Sequence, residues 1–180
     1  DSGVATRPIQ DFSAYRQKLS EFVYNSAFMM KPIFAQAKTA PKRIAYAEGE
    51  DLRVLRAVQI AVDEGLAFPI LVGRTAVIEA NIKKLGLRLE HGVNIQIVDQ
   101  EKNPDYEFFA DDYYQIMQRK GVTPEYAHRE ARRRSTLIAA MLVKHGHADG
   151  MLCGTYSSYD IHLDFVKNVI GLKEGRSTLF

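Results

Sequence analysis

The sequence predicts an α/β protein in which a mostly parallel sheet lies between two layers of helices, a three-layer α/β/α arrangement. Short apolar runs alternate with amphipathic helical stretches along most of its 180 residues, and the connections between them are short. This order is typical of parallel sheets whose strands are joined by crossover helices. The apolar runs are continuous, as expected for strands that are buried on both faces.

The N-terminal part, residues 1–40, is predicted to contain a linker followed by helices. Residues 1–8 are polar and carry the linker. Apolar side chains then recur at helical spacing after Asp11, a suitable N-cap, and again over residues 28–37. Asn25-Ser26 is expected to interrupt the helical pattern. The two helical pieces are expected to pack on the main body or on another subunit.

The main body is predicted to extend over residues 41–180. Its last residues, 176–180, resemble the opening of a further strand, so the sequence is expected to be a piece of a longer protein whose C-terminal part is missing. Strands are predicted at residues 43–47, 68–72, 94–98 and 151–153, with helices over residues 52–66, 75–85 and 105–119 and two more beginning near Thr123 and Ala131.

Composition excludes several classes of protein. The net charge is +2, with 46% apolar and 26% charged residues, which gives no reason to expect a nucleic-acid partner. No apolar run is long enough for a membrane span. A single cysteine, Cys153, excludes a disulfide framework and favours a cytoplasmic protein. Its apolar neighbours predict a thiol buried in a strand and not a nucleophile.

Common catalytic and metal-binding motifs are absent. The sequence contains no dinucleotide-binding glycine fingerprint, no P-loop and no nucleophile elbow. His145 and His147 share a loop but lack the neighbours of a zinc site, so no metal ligand and no catalytic residue is predicted. Tyr106, Phe109 and Tyr113 recur at core spacing and are expected to pack inside the protein.

The stretch over residues 131–171 is predicted to hold the binding site. It is interpreted as a basic amphipathic helix, a short strand, a polar turn and a second helix. In open parallel sheets, ligands bind beyond the carboxyl ends of strands, where backbone N–H groups point outward. Thr155, Ser157 and Ser158 occupy such a turn and could hydrogen-bond a phosphate or carboxylate, although a simple turn with an N-cap would show the same pattern.

A cluster of arginines precedes this turn. Arg129, Arg132, Arg133 and Arg134 are predicted to lie on one helix, with the first three on a shared face. One interpretation is a solvated surface with partners such as Glu125 or Glu130. The other is a phosphate-binding face, because guanidinium groups match phosphate oxygens in bidentate fashion, and Arg133 is the candidate ligand.

Four segments in the same order resemble the phosphate acetyltransferase family: residues 47–57, 65–73, 119–123 and 146–154. The opening, residues 2–9, is similar to the linker that joins the two halves of long bacterial NADP-dependent malic enzymes. In those enzymes the second half is a phosphate acetyltransferase-like tail.

The resemblance implies an incomplete phosphate acetyltransferase-like domain over residues 41–180, with an acyl-CoA cleft between two lobes. It implies a homodimer formed through the tail and a higher homo-oligomer of the full enzyme. It further implies acetyl-CoA as an effector, no cofactor in this part of the chain, and NADP with Mg²⁺ or Mn²⁺ in an upstream catalytic half. The expected function is regulation of malate oxidation by acyl-CoA.

The sequence also departs from the family pattern. Where the family carries a Ser-Gly-Ala-x-His-Ser-Thr turn, Ser157 replaces the histidine and Ser158 keeps a hydroxyl. Met117 stands near the place of a coenzyme-contacting arginine. The catalytic Ser, Arg and Asp of the family fall in the later portion of the domain. An active phosphate acetyltransferase and a purely structural oligomerisation domain are the alternatives.

Overall fold

The computed structural model describes residues 11–173 and residue 175, and it leaves the side chains of residues 17–29 undescribed. The chain divides into two compact units, Asp1–Ala40 and Pro41–Phe180. The linker predicted at residues 1–8 and the strand opening predicted at residues 176–180 lie outside the described residues.

In the first unit, α1 is one continuous helix of 28 residues, Phe12–Thr39. The interruption expected at Asn25 and Ser26 is therefore wrong, because each of these residues lowers helix propensity by only about 0.5 kcal/mol. The Asp11 carboxylate caps the helix, as predicted, and accepts from two backbone N–H groups at 2.9 and 3.0 Å. None of the described helices has both the length and the apolar composition needed to cross a bilayer.

The second unit is built on a four-stranded sheet of order β3-β2-β1-β4. Every pair of neighbouring strands is parallel, so the predicted parallel α/β fold is confirmed. In the centre of the sheet, Ala45 is in register with Ile70 on one side and Met151 on the other. The strands are β1 (Lys42–Tyr46), β2 (Ala67–Val72), β3 (Gln96–Val98) and β4 (Gly150–Leu152).

Six helices in the second unit follow the strands in the expected alternation. Asp51 caps the first of them and Thr123 caps the fourth, both through side-chain oxygens that accept backbone N–H groups. The helices are α2 (Leu52–Asp63), α3 (Thr75–Leu85), α4 (Tyr106–Met117), α5 (Pro124–Arg133), α6 (Ser135–Lys144) and α7 (Tyr159–Val169), with a 3₁₀ turn at Gln118–Lys120.

Two hydrophobic cores lie on opposite faces of the sheet. Ile70 and Val72 of β2 belong to the larger core, which is formed with α4 to α7. Leu71 points the other way and packs with Leu55 of α2 and Ile78 of α3. This alternation along one strand gives the three predicted layers. Tyr106, Phe109 and Tyr113 are buried in the larger core, as predicted.

The arginine-rich segment differs from the prediction in two respects. Arg134 has φ −114° and ψ 96°, which ends α5 and separates it from α6, so the four arginines do not share one helix. The helix predicted to begin near Ala131 is expected to be basic and amphipathic, and this expectation is wrong for α6, in which every residue from Thr136 to Leu142 is buried. Tertiary contacts cause this burial, because α6 packs against β1, β2 and β4 and also against α5 and α7.

Candidate functional site

The carboxyl ends of the parallel strands meet at one edge of the sheet and surround a cleft of about 270 Å³. We call it the arginine cleft. Its walls come from the segments that follow β1, β2, β3 and β4 and from the junction of α5 and α6. Among the residues that line it are Glu48, Gln100, Arg132, Arg133, Ser135 and Tyr156.

On the β1–β2 side of the cleft, the charged groups are paired within the chain. The Glu50 carboxylate accepts two hydrogen bonds from the Arg74 guanidinium, at 2.9 and 2.8 Å, and one from the Arg74 backbone N–H at 2.9 Å. The hydrogen bonds from the Arg74 side chain lower the pKa of Glu50. Asp51 binds the Arg53 guanidinium in the same way, which lowers the pKa of Asp51 to about 2.

The α5–α6 side of the cleft carries positive charge that lacks a carboxylate partner. The exposed side chain of Arg133 makes no ion pair or hydrogen bond to any residue that the structure describes. The Arg132 guanidinium lies 4.9 Å from the ring centroid of Tyr106 and also reaches the cleft. Arg134 instead pairs with Glu130 at 3.1 Å. The cleft therefore has cationic capacity for an anionic ligand.

The turn after β4, residues 153–158, forms the third wall. The backbone N–H of Gly154 donates to Oε1 of Glu48 at 2.9 Å. The carbonyl of Thr155 accepts from the Arg53 guanidinium at 3.2 Å. Ser157 has φ 76°, a left-handed conformation that residues other than glycine seldom adopt. A strained residue of this kind persists only where its surroundings fix it.

A second cavity, of about 390 Å³, lies on the other side of this turn. We call it the thiol pocket, because Cys153 lines it together with Ser157, His162, Leu163 and Val166. The prediction that Cys153 is buried in a strand is wrong. The strand ends one residue earlier, at Leu152, and the cysteine is exposed.

The chemistry of the Cys153 thiol still agrees with the absence of a predicted nucleophile. Desolvation by the surrounding groups raises its pKa, and the nearby Glu48 carboxylate raises it further. A thiol with a raised pKa is protonated at neutral pH and attacks slowly. Cys153 is therefore better suited to line a pocket than to react.

The four ligand-binding residues predicted from the sequence do not meet at one point. Arg133 lines the arginine cleft, and Ser157 lines the thiol pocket. Thr155 and Ser158 are among the lining residues of neither cavity. Ser158 directly precedes α7, but its side chain makes no capping hydrogen bond. The turn thus divides the predicted residues between two cavities.

Glu48, Thr136 and His162 also belong to the site, although the sequence did not identify them as site residues. All three are buried polar residues, with exposed fractions of 4%, 5% and 8%. Glu48 is the second residue after β1, and that position at a strand end was a usable signal. Thr136 and His162 lie on helices that look ordinary in sequence. Among the side chains that the structure describes, no three from His, Cys, Asp or Glu come together as metal ligands.

An open parallel sheet with ligand-sized cavities beyond its strand ends defines an α/β domain of the kind that binds small molecules at that edge. Residues 28–179 match the model of the phosphate acetyl/butaryl transferase family, and the chain belongs to this family. The family resemblance drawn from the sequence is thereby confirmed.

Two kinds of protein are similar to this chain in sequence. The chain is 51% identical over 178 residues to the NADP-dependent malic enzymes of Haemophilus influenzae and Escherichia coli, where it matches the C-terminal phosphate acetyltransferase-like region. The match covers 99% of this chain but only 24% of each malic enzyme. The chain is also 30% identical over 126 residues to a phosphate acetyltransferase of Thermoanaerobacterium thermosaccharolyticum, covering 70% of this chain and 37% of that enzyme.

The fold is also found in solved structures. A phosphotransacetylase from Streptococcus pyogenes superposes with a TM-score of 0.72 at 25% identity. The match covers 83% of this chain and 45% of that one. The chain described here therefore spans less than half of the solved relative.

Proposed function

We propose that this domain is a regulatory acyl-CoA-binding tail of a malic enzyme, with acetyl-CoA as its effector. The observation that carries the proposal is the turn over residues 153–158, which lies between a polar cleft with Arg132 and Arg133 on one side and a less polar pocket. Acyl-CoA has the same two-part chemistry, with phosphates at one end and an apolar thioester arm at the other. The similarity to the tails of NADP-dependent malic enzymes supports the same assignment.

The two cavities are close enough for one ligand. Tyr156 lines the arginine cleft, and the next residue, Ser157, lines the thiol pocket. Consecutive Cα atoms are about 3.8 Å apart, so both cavities border the same turn, and in the proposed complex the ligand crosses it. In this arrangement Arg133 and Arg132 bind phosphate oxygens, and Leu163 and Val166 contact the acyl arm. Thr155 and Ser158 offer further hydroxyl groups on the turn.

Control of a distant active site requires an effector that binds one of two arrangements more tightly than the other. In the proposed protein, an upstream half that uses NADP and Mg²⁺ or Mn²⁺ carries out the oxidative decarboxylation of malate. The tail forms a homodimer within a larger cytoplasmic homo-oligomer. Acyl-CoA bound at the turn shifts the arrangement of the tails and, through them, that of the catalytic halves.

An active phosphate acetyltransferase is the second candidate, because the chain belongs to that family. Acyl transfer to or from a thiol needs a group that accepts the thiol proton. Ser157 cannot serve as such a base. His162 is the histidine in the wall of the thiol pocket, and both of its ring nitrogens already contact groups of this chain. These contacts favour binding over catalysis.

Calorimetric titration of the chain with acetyl-CoA tests the proposal. We expect saturable binding, weaker binding of CoA without the acetyl group, and no binding of acetyl phosphate alone, because acetyl phosphate reaches only one cavity. An absence of both heat and thermal stabilisation with acetyl-CoA would contradict the proposal.

A coupled assay separates the two candidate functions. The protein that carries this tail is mixed with acetyl phosphate and CoA, and formation of acetyl-CoA is followed. We expect no turnover above the uncatalysed rate. Turnover at ordinary enzymatic rates would replace the regulatory function with phosphate acetyltransferase activity.

A further inference from the structure

His162 is a buried side chain that contacts the binding turn from inside the protein. Its Nε2 lies 2.7 Å from the carbonyl oxygen of Tyr156, and its Nδ1 lies 2.8 Å from the hydroxyl oxygen of Thr136. A carbonyl oxygen only accepts, so Nε2 carries a hydrogen and donates it to Tyr156. In the neutral ring, Nδ1 then accepts the hydrogen of the Thr136 hydroxyl. The carbonyl thus selects the tautomer, and the threonine hydroxyl, which can donate or accept, holds the ring in its orientation.

Glu48 supplies a second anchor for the same turn. Its Oε1 accepts the Gly154 backbone N–H at 2.9 Å and lies 3.9 Å from Nε2 of His162. Glu48 lines the arginine cleft, whereas His162 lines the thiol pocket. The two side chains therefore meet beneath the turn and join the walls of both cavities.

The conformation of the turn explains why such anchors are needed. Ser157, with φ 76°, follows the residue whose carbonyl His162 holds. A left-handed serine is disfavoured in a free loop, so outside contacts must stabilise it. The position of the Ser157 hydroxyl in the thiol pocket depends on the same backbone angles.

We propose that His162 is a positioning residue of the binding site, which fixes the backbone of the turn so that Tyr156 faces the arginine cleft and Ser157 faces the thiol pocket. Thr136 acts through His162 by holding its ring in this orientation, and Glu48 holds the first residue of the turn beyond Cys153. This inference rests on the proposed function only where it concerns the binding of a ligand. The conformation of the turn can be measured without any ligand.

Amide hydrogen exchange of the whole chain, measured residue by residue by NMR, tests the positioning role directly. In His162→Ala we expect the amide of Gly154, whose N–H is bonded to Glu48 in the same turn, to exchange about tenfold faster, as for the loss of one well-formed hydrogen bond, while amides of β1 and β2 change little. His162→Gln retains an N–H near the position of Nε2 and should restore most of the protection. In Thr136→Val we expect a two- to threefold acceleration, because Nδ1 loses its partner and the ring is held less firmly.

His145→Ala is the matched control. His145 also bonds a single side chain, Asp112, at 3.0 Å, but it follows the far end of α6. A loss of general stability would appear in both histidine variants, whereas exposure of the turn should appear only in His162→Ala. Equal acceleration in the two variants, or none in the turn, would overturn the positioning role. If His162→Ala does not fold, an unaltered turn in Thr136→Val overturns it.

Acetyl-CoA titration of the same variants separates this inference from the proposed function. We expect about tenfold weaker binding in His162→Ala, recovery in His162→Gln and no change in His145→Ala. If the unaltered chain does not bind acetyl-CoA, the proposed function fails, and the exchange experiment alone decides the role of His162. If the unaltered chain binds and His162→Ala binds equally well, the positioning role fails while the proposed function stands.

Discussion

The two sides of the strand-end edge differ in how far their polar groups are already paired. After β1 and β2, Glu50 is bonded to Arg74, and Asp51 to Arg53. Near β4, Arg133 makes no ion pair with any described residue, and Ser157 is held in a strained conformation. We call the first side, where the charged groups are paired within the chain, the closed side. We call the second, where Arg133 is unpaired in the described part of the chain, the open side. Charged groups that are paired within the chain stabilise the fold, whereas unpaired groups beside a cavity remain available to a ligand.

The closed side also shows how backbone packing supports the charge pairs. The backbone N–H of Gly49 donates to the carbonyl of Val72 at 3.1 Å, which brings the ends of β1 and β2 together. Glu50 and Arg74 then face each other across this junction. On the open side, the backbone N–H of Ala47 donates to the carbonyl of Leu152 at 3.0 Å, but a Cβ atom built on Gly154, in the turn, meets no other group within 4 Å. Changes on the closed side should therefore alter stability, and changes on the open side should alter binding.

The largest effect is expected for Gly49→Ala. An added Cβ would lie 2.9 Å from the carbonyl oxygen of Val72 and 3.0 Å from Cβ of Leu71, and the backbone there has no room to move. Overpacking of this kind destabilises by about 2 to 3 kcal/mol. Chemical denaturation measures the free energy of unfolding.

Gly150→Ala, in β4, is the control for this change. Its added Cβ would meet only the end of the Ile44 side chain, at 3.4 Å, so we expect a change within about 0.5 kcal/mol. Similar losses for the two alanine variants would mean that the close approach of Gly49 to β2 is not the cause of the loss.

Glu50→Gln should have the next largest effect on stability. The glutamine amide lacks the negative charge that binds two nitrogens of the Arg74 guanidinium. Its NH₂ group is a donor, and it would face the donors of the guanidinium. We expect a loss of about 1 to 2 kcal/mol in the free energy of unfolding, with unchanged affinity for acetyl-CoA. A variant of normal stability that binds acetyl-CoA more weakly would place Glu50 on the open side.

Arg133→Ala should show the opposite behaviour. Because the side chain is exposed and unpaired in the described part of the chain, its loss should change stability by less than about 0.5 kcal/mol. Loss of a charge-assisted contact to phosphate should weaken acetyl-CoA binding about tenfold in a calorimetric titration. Arg88→Ala removes the same charge from a residue paired with Asp63 and should leave binding unchanged. Equal affinity in both variants would exclude Arg133 from the site.

The sequence was sufficient for the features that depend on local chemistry. Alternating apolar runs predicted the parallel sheet, and the cap Asp11 followed from its side chain alone. Of the site, the sequence indicated the turn after β4 and Arg133. It also placed Cys153 inside a strand, but the pairing of β1 with β4 ends at Tyr46 and Leu152.

Contacts between distant segments were not readable from the sequence. Glu48 and Gly154 are 106 residues apart, and nothing in either neighbourhood signals the other. The break at Arg134 has the same origin, since neither arginine nor serine ends a helix by itself. Burial of α6 between the sheet and its neighbouring helices changes the chain direction there. Which polar groups are already paired is thus a property of the fold and not of local sequence.

The smallest effect is expected for Asp51→Asn. This variant tests whether the charge pairs of the closed side also help to hold the turn over residues 153–158 in place. Asparagine caps a helix as well as aspartate does, so this change removes the charge and keeps the cap of α2. The Arg53 side chain is 68% exposed, so solvent screening limits the loss to less than about 1 kcal/mol at neutral pH. Arg53 also donates to the carbonyl of Thr155, and its release would loosen the turn.

The pH dependence of the free energy of unfolding gives the direction of the effect expected for Asp51→Asn. The folded chain holds the pKa of Asp51 at about 2, below its ordinary value of 3.8, so its stabilising contribution is fully present above pH 4 and disappears as the pH falls towards 2. The free energy of unfolding of the unaltered chain should therefore fall more steeply over that interval than that of Asp51→Asn. Parallel curves would mean that the Asp51–Arg53 pair contributes nothing. Weaker acetyl-CoA binding at neutral pH in Asp51→Asn would show that the closed side, through Arg53, helps to shape the open one.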